Sequence, residues 1–241
     1  AARRVSEGHD SAATSLDTCG NSLLLGRFQG THHGEMVYDE RFGRHSRLMP
    51  LSSVGDLLTT TQYGLSEPGV DGGKYRMLRM MDLVDGLAVD KDLCTVDLSD
   101  EDFERYRLEQ GDVLFNRTNS HDLVGRTGVY RLAGPHVFAS YLVRLKTDVR
   151  ILLPDYLCAF LNSPLGRRQV MRYATRGVSQ SNVNASNLRS VLIPLPSVQA
   201  QAAVVCEIDQ YRAARERLRQ RAAAASALAV QIMNRLLGET T

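Results

Sequence analysis

The sequence predicts an α+β protein: a mixed-sheet domain followed by one long C-terminal helix. Three observations carry this prediction. From Leu48 onward, short apolar or alternating runs are separated by Gly, Pro, Asp and Asn, which is the texture of short strands joined by turns. Between residues 154 and 173 the pattern becomes helical. After Pro194-Leu195-Pro196 a helical pattern of roughly forty residues begins, which would span about 60 Å at ~1.5 Å per residue. Such a helix is too long to bury its apolar side inside a domain of this size. The expected layout is therefore an arm over 1–46, a domain over 47–196 and a helix over 197–238.

Residues 1–46 are dominated by Gly, Ser, Thr, His and Arg, with Leu23-Leu24-Leu25 as their clear apolar run, and are expected to be loosely structured. Leu51 to Leu58 (LSSVGDLL) reads as a strand passing into a short helical turn. The stretch TTTQYGLSEPGVDGGKY that follows reads as a loop, with Gly and Pro at turn positions. Tyr75 to Met81 alternates basic and apolar residues, which predicts a half-buried strand with Arg76 and Arg79 near one surface. Residues 82–104 are strongly acidic and should include a short helix after Ser99-Asp100. Leu108 to Phe115, with its Gly-Asp turn, enters a strand that ends in the polar loop Asn116 to Ser120. Gly128 to Tyr130 and Phe138 to Leu145 are two further strands. Pro154 to Leu161 begins a helix that Arg167 to Tyr173 continues or renews.

Ser197 suits the N-cap of the terminal helix, because its hydroxyl can accept from a free amide of the first turn. Val204, Ile208, Tyr211, Arg215, Leu218, Ala222, Ala225, Ala229, Ile232 and Leu236 then follow spacings of four and three, a coiled-coil seam. The alanines at its centre would let a partner helix approach closely. Arg215 interrupts the seam, where a polar residue fixes register rather than adding stability. Arg212, Arg217, Arg219 and Arg221 surround it with positive charge. The alternative is a helix folded back on the core, but globular helices average only about 10–14 residues, so length favours an interaction arm.

The net charge of +2 leaves any nucleic-acid affinity to local patches. One lies between Pro164 and Arg189, where every charged residue is an arginine: Arg167, Arg168, Arg172, Arg176 and Arg189. Such a cluster can neutralise phosphates and position a duplex. Beside it, Ser179, Gln180, Asn182 and Asn184 belong to a polar loop whose amides could bond adenine's major-groove edge, as arginine does guanine's. Similar groups occur at Gln62 and Tyr63, at Lys74, Arg76 and Arg79, at Arg117, Asn119 and Ser120, and at Arg126. The acidic 82–104 stretch would be repelled by phosphate and should face away. Each loop taken alone is equally a solvated turn.

Catalytic signatures are missing. GVDGGK at 69–74 lacks the spacing of a phosphate loop and reads as a turn. His32 and His33 have no ligand-spaced companions, and Cys19, Cys94, Cys158 and Cys206 are scattered, as expected of reduced thiols in a cytoplasmic protein. Glu109 and Asp112 could be imagined as nuclease carboxylates, but no lysine is expected nearby to complete the set. No apolar run approaches membrane-spanning length.

Two sets of motifs resemble a known family. GDVLFNRTNS (111–120) with LVGRTGVY (123–130), and GVSQSNVNASNLRSVLIPLPSVQAQ (177–201), are similar to the DNA-specificity subunits of type I restriction-modification systems, from about Leu48 to Leu237. In that family a strand ending as Ile193-Pro194-Leu195-Pro196 does here hands the chain to a spacer helix, with a glutamine (Gln201) in its first turns. The resemblance implies a target-recognition domain, double-stranded DNA as ligand, adenine methyltransferase subunits as partners, and no cofactor of its own, S-adenosylmethionine belonging to the methyltransferase. Family members usually carry two recognition domains and two helices. A single set implies a half-subunit pairing through an antiparallel coiled coil of its helix, as a homodimer or with a second half-subunit, or else the C-terminal half of a longer chain. The helix interface would be Ile208, Tyr211, Leu218, Ala222, Ala225, Ala229, Ile232 and Leu236. Two other readings stand beside this one: the specificity tail of a fused methyltransferase-nuclease, and a coiled-coil module that binds protein and not DNA.

Overall fold

The computed structural model describes residues 29–30, 36–37, 50–176 and 181–238, with backbone alone given for the first four and for Arg176. Residues 1–48 and 49–241 separate into two units. In the first, β1 (Gln29–Gly30) and β2 (Met36–Val37) pair antiparallel, Gln29 opposite Val37. The rest of the expected N-terminal arm lies outside the described residues.

In the second unit, β3 (Leu51–Ser53) passes into α1 (Val54–Leu57), capped by the Ser53 hydroxyl accepting from the Asp56 N–H at 3.2 Å. The next segment departs from expectation. Leu58–Tyr63 is a strand, β4, and not part of a loop. Its three consecutive threonines are β-branched and suit an extended strand, and the turn residues begin only at Gly64. β5 (Tyr75–Leu78) stops short of Met81, because Asp82 organises a 3-10 turn over Met80–Asp82. The Asp82 carboxylate is 1% exposed and accepts from the backbone N–H groups of Arg79, Lys91 and Asp92. β6 (Leu83–Val84) and β7 (Leu87–Ala88) form a hairpin across Asp85-Gly86, whose φ of 52° and 83° are what a tight I′-like turn requires.

β8 (Thr95–Val96) and α2 (Asp100–Tyr106) follow, the helix capped by Ser99 as the sequence suggests. Then come β9 (Val113–Asn116), β10 (Thr118–Asn119), β11 (Thr127–Val129), β12 (His136–Phe138) and β13 (Leu142–Thr147). The single strand expected over 138–145 is thus two strands belonging to different sheets. Of the two outcomes open for the helical stretch, renewal is the one found: it divides into α3 (Pro154–Asn162) and α4 (Pro164–Arg172). Pro164 has no N–H to continue α3, and Ser163 caps α4 by accepting from Gly166 at 3.1 Å. A side chain at Gly166 would collide with the Phe160 carbonyl, so the two helices meet there only through glycine. The chain ends β14 (Thr175–Arg176), β15 (Ser181–Asn182), α5 (Ala185–Arg189), β16 (Leu192–Pro194) and α6 (Val198–Leu236).

Six strands form the main sheet in the order β4-β13-β9-β11-β7-β6, beside β12-β5-β8, β10-β15-β14 and the pair β16-β3. β9 is buried on both faces. Val113 and Phe115, with Val143 and Leu145 of β13, pack against Leu157, Leu161, Val170, Leu188 and Ile193 on the helical side. Leu114 and Leu142 turn the other way, onto Leu78, Leu83, Tyr130 and Phe138. Strand alternation thus builds a helix layer, a sheet and a second sheet around one pair of strands. Each fully buried Leu or Phe contributes about 1.5–3 kcal/mol.

α6 runs for 39 residues, about 58 Å, and the Ser197 hydroxyl caps it by accepting from Ala200 at 3.3 Å. Only its first turns touch the domain core. Gln201 is fully buried: its Oε1 accepts from the Leu153 N–H at 2.9 Å, and its Nε2 donates to the carbonyls of Ile151 and Pro196. Val204, the first seam position, packs with Val205 on the domain's own core. Beyond Gln210, every described residue is exposed except the half-buried Arg212 and Asn234. Arg215 does not stand as an unpaired polar break in the seam. It pairs with Asp85 of the β6–β7 turn at 2.7 Å, and Arg219 reaches the same carboxylate at 3.3 Å.

Candidate nucleic-acid interface

β9 ends at Asn116, and the next residue, Arg117, joins several segments of the polar surface. Its N–H donates to the Tyr141 carbonyl at 3.0 Å and its carbonyl accepts from Val183 at 2.8 Å. Its Nε donates to the Ser140 carbonyl at 2.9 Å, and Nη1 donates to Asn182 Oδ1 at 3.3 Å. The guanidinium lies over the Tyr63 ring, 5.0 Å from its centroid. Tyr63 is itself held, its hydroxyl accepting from the N–H of Ala185 at the start of α5, at 3.0 Å.

The loops expected at 116–120 and 181–184 are in part a small polar sheet. Thr118 pairs with Asn182 and Asn119 with Ser181, while β14 lies on the other side of β15. Asn119 Oδ1 accepts from the Ser120 N–H at 2.8 Å and its Nδ2 approaches Met80 Sδ at 3.1 Å. Asn184 caps α5, its Oδ1 accepting from Asn187 at 2.6 Å. Its acceptor is therefore engaged within the protein. Ser179 and Gln180 lie outside the described residues, as does the side chain of Arg176.

α4 carries the basic side of this region. Arg167 donates to the carbonyls of Asp122 and Val124, which ties α4 to the turn that follows Ser120. Arg126 and Arg172 are exposed and make no ion pair among the described residues. Arg189 donates to the Thr61 hydroxyl at 3.4 Å. The structure thus gathers Tyr63, Arg117, Asn119, Asn182 and Asn184, with Ser120 and α4 tied in through the 120–125 turn.

Other candidates are set apart. Gln62 neighbours Tyr63 in sequence, but alternation along β4 sends it to the opposite face. There it accepts from Arg144 Nη2 and donates to the Arg105 carbonyl. Lys74 and Arg79 stay exposed and Arg76 half-buried, but the three pair with the acidic segment, with Asp100 at 3.0 Å, with Asp92 and with Asp90 at 3.5 Å, respectively. Hydrogen bonds to Tyr75 and Asp100 raise the Lys74 ammonium to about 12. The acids thus neutralise these three cations within the fold, a pairing that the sequence does not display because the segment folds back across β5.

The expectation that Glu109 and Asp112 have no lysine near them is also overturned. Antiparallel pairing of β13 with β9 brings Lys146 to within 2.6 Å of Glu109 and 3.8 Å of Asp112, with Arg144 3.5 Å from Asp112. Asp112 is 3% exposed and accepts from the Glu109 N–H, which makes this a structural charge cluster. Burial pushes the Asp112 carboxyl up, while the Lys146 hydrogen bond holds Glu109 down. GVDGGK is a turn, with the Gly73 N–H on the Thr95 hydroxyl and the Lys74 N–H on Asp97. His32 and His33 lie outside the described residues. Sequence reasoning missed Ser140, Tyr141 and Asp85, which act through a backbone carbonyl or a turn and carry no periodic signal.

No family model matches the chain. It is 27% identical over 158 residues to the type I restriction enzyme EcoKI specificity subunit of Escherichia coli K12, covering 64% of this chain and 34% of that protein. It is 25% identical over 162 residues to the StySPI specificity subunit of Salmonella potsdam, covering 66% and 35%. The chain therefore spans about a third of the length of these curated relatives. Its fold is similar to one in a solved structure described for complex assembly and conformational transition of the type I restriction-modification system, with a TM-score of 0.60 over 83% of this chain and 47% of that one, at 17% identity.

Proposed function

We propose, for a chain whose curated relatives are specificity subunits of type I restriction enzymes, that it is a sequence-specific DNA-recognition unit of such a system. It grips duplex DNA with the surface around Arg117 and reads one half of a bipartite target. The exposed length of α6 pairs with a second recognition unit, which a second copy or another segment supplies, and docks adenine methyltransferase subunits. Those partners bring S-adenosylmethionine and the base-modifying chemistry, so the chain itself is a non-catalytic reader working in the cytoplasm.

The observation that carries this reading is the presence of two features on one domain. A preorganised Arg, Asn and Tyr surface lies on the domain, and a helix exposed for most of its length leaves that domain through the Gln201 latch. Phosphate contacts from Arg126 and Arg172 would set register on the duplex, while the strand and loop amides address base edges. No described helix is long and apolar enough to cross a membrane.

The test is selection from a random duplex library, with the chain alone and mixed with its methyltransferase, together with solution mass of both samples. Enrichment of a split sequence by the mixed sample is the expected result. Absence of any enriched sequence, with Arg172→Glu leaving DNA retention unchanged, would favour a protein-binding coiled-coil module.

A further inference from the structure

The bond between Arg117 and Asn182 limits what this surface can read. A guanidinium only donates, so the carboxamide atom that faces Nη1 at 3.3 Å is the Asn182 oxygen. The other carboxamide group, Nδ2, carries two N–H donors. Asn182 is exposed, so that group is open to solvent on a strand whose neighbours are Thr118 and Thr175. Arg117 is fixed from two further directions, by the Ser140 carbonyl at Nε and by the Tyr63 ring, whose centroid is 5.0 Å from the guanidinium carbon. Its remaining N–H groups have no other acceptor among the described residues. The free groups of the pair are thus mainly donors: the remaining guanidinium N–H groups and the Asn182 Nδ2.

We infer that Arg117 and Asn182 together form a guanine-reading subsite. This rests on the DNA-recognition reading above and gives it a base. In the major groove guanine offers N7 and O6, two adjacent acceptors that complement neighbouring N–H donors. Adenine offers an acceptor beside a donor, and bidentate pairing to it uses both atoms of a carboxamide. One of the two lone pairs of the Asn182 oxygen is already engaged by Arg117, so an adenine contact there has to share that atom with the guanidinium, whereas a guanine contact uses only free N–H groups. A phosphate also accepts from arginine. Yet phosphate contact needs no fixed plane, and the exposed Arg126 and Arg172 serve it without one. Fixing a guanidinium with two acceptors and a neighbouring aromatic ring is the kind of restraint that directional, bidentate pairing uses.

The experiment is selection from a random duplex library with the full chain and its methyltransferase, using wild type, R117K and N182D. Wild type is expected to enrich a half-site with a guanine preferred on the order of 10- to 100-fold at one position. R117K keeps a charge for phosphate but loses the planar fork, and should lose that preference while retaining most of the overall affinity. N182D places an acceptor where Nδ2 stood and should move the preference towards cytosine, whose N4 donates. If both variants keep the wild-type preference, or if R117K weakens every sequence equally without changing the preference, the subsite assignment is overturned and Arg117 is a phosphate or structural contact. If wild type enriches no sequence, the DNA-recognition reading fails, a result distinct from the first.

Discussion

Arg215, in the middle of the long helix, holds the carboxylate of Asp85 at 2.7 Å, and Asp85 stands at the tip of a two-residue hairpin in the main sheet. Arg219, one turn on, shares the same carboxylate at 3.3 Å. The helix is therefore attached to its domain through Gln201 near its start and again through Asp85, about three turns beyond Val205, with Arg212 lying against Gly86 between them. Two attachments fix a direction, where one would leave a hinge.

Replacing Asp85 by Asn keeps a residue that tolerates the positive φ of the turn and removes both ion pairs. Because the pairs are exposed, unfolding free energy should fall by less than about 1 kcal/mol. Hydrogen exchange over residues 206–219 should nonetheless quicken, and added salt should produce the same change in the wild type. Unchanged exchange in Asp85→Asn would mean that the ion pairs do not hold the helix.

Gln201→Ala should be far more costly. It leaves the half-buried N–H of Leu153 and the carbonyls of Ile151 and Pro196 without their partner, at an expected loss of about 1–3 kcal/mol by urea unfolding. Gln201→Glu retains the acceptor for Leu153 but sets a buried carboxylate against two carbonyl oxygens, so it should not rescue stability at neutral pH. A loss below about 0.5 kcal/mol for Ala would contradict the latch.

Lys146→Gln tests the charge cluster. Glu109 titrates below its ordinary range because Lys146 hydrogen-bonds its carboxylate, so this pair stabilises the fold above that range and ceases to do so as pH falls through the depressed folded value. Asp112 has the opposite sign. Burial raises it, so its cost appears as pH rises through the ordinary carboxylate range and is complete above the raised value. Without Lys146 both carboxyls should titrate at higher pH, which carboxyl NMR can follow. The stability difference between wild type and variant should shrink as the medium becomes acidic; a constant difference would exclude Lys146 as the cause.

Arg126→Ala and Arg172→Ala should weaken DNA binding by similar factors for every sequence. Each should also lower the slope of log affinity against log salt by about 0.9, the signature of one lost phosphate contact. A change in base preference with an unchanged salt slope would move these arginines from the phosphates to the bases.

Elements that announce themselves locally were legible in the sequence. Ser197 caps the terminal helix as its position suggests, the short helix expected after Ser99 is present, and the terminal helix starts and stops close to its expected limits. Two elements were not. β4 is hidden by Thr and Gln, which resemble loop residues until a neighbouring strand pairs with them. The break at residues 139–141 depends on which sheet each half joins.

The candidate site follows the same division. Residue types alone singled out Arg117, Asn119, Asn182 and Tyr63 as candidates, because such side chains suit base and phosphate edges wherever they are exposed, and the fold brings these four together. They could not separate Tyr63 from Gln62, which strand alternation places on opposite faces, nor foresee that Lys74, Arg76 and Arg79 are paired with acids. By itself the sequence determined the α+β class, the capped helices, the long apolar seam and the family resemblance, all consequences of local spacing and motif. Only the tertiary structure decided which donors stay available, that Arg215 faces Asp85, and that the Asn182 oxygen accepts from Arg117. Those outcomes depend on contacts between residues up to 130 positions apart (215 − 85), and a long-range contact leaves no pattern in the chain on either side of it.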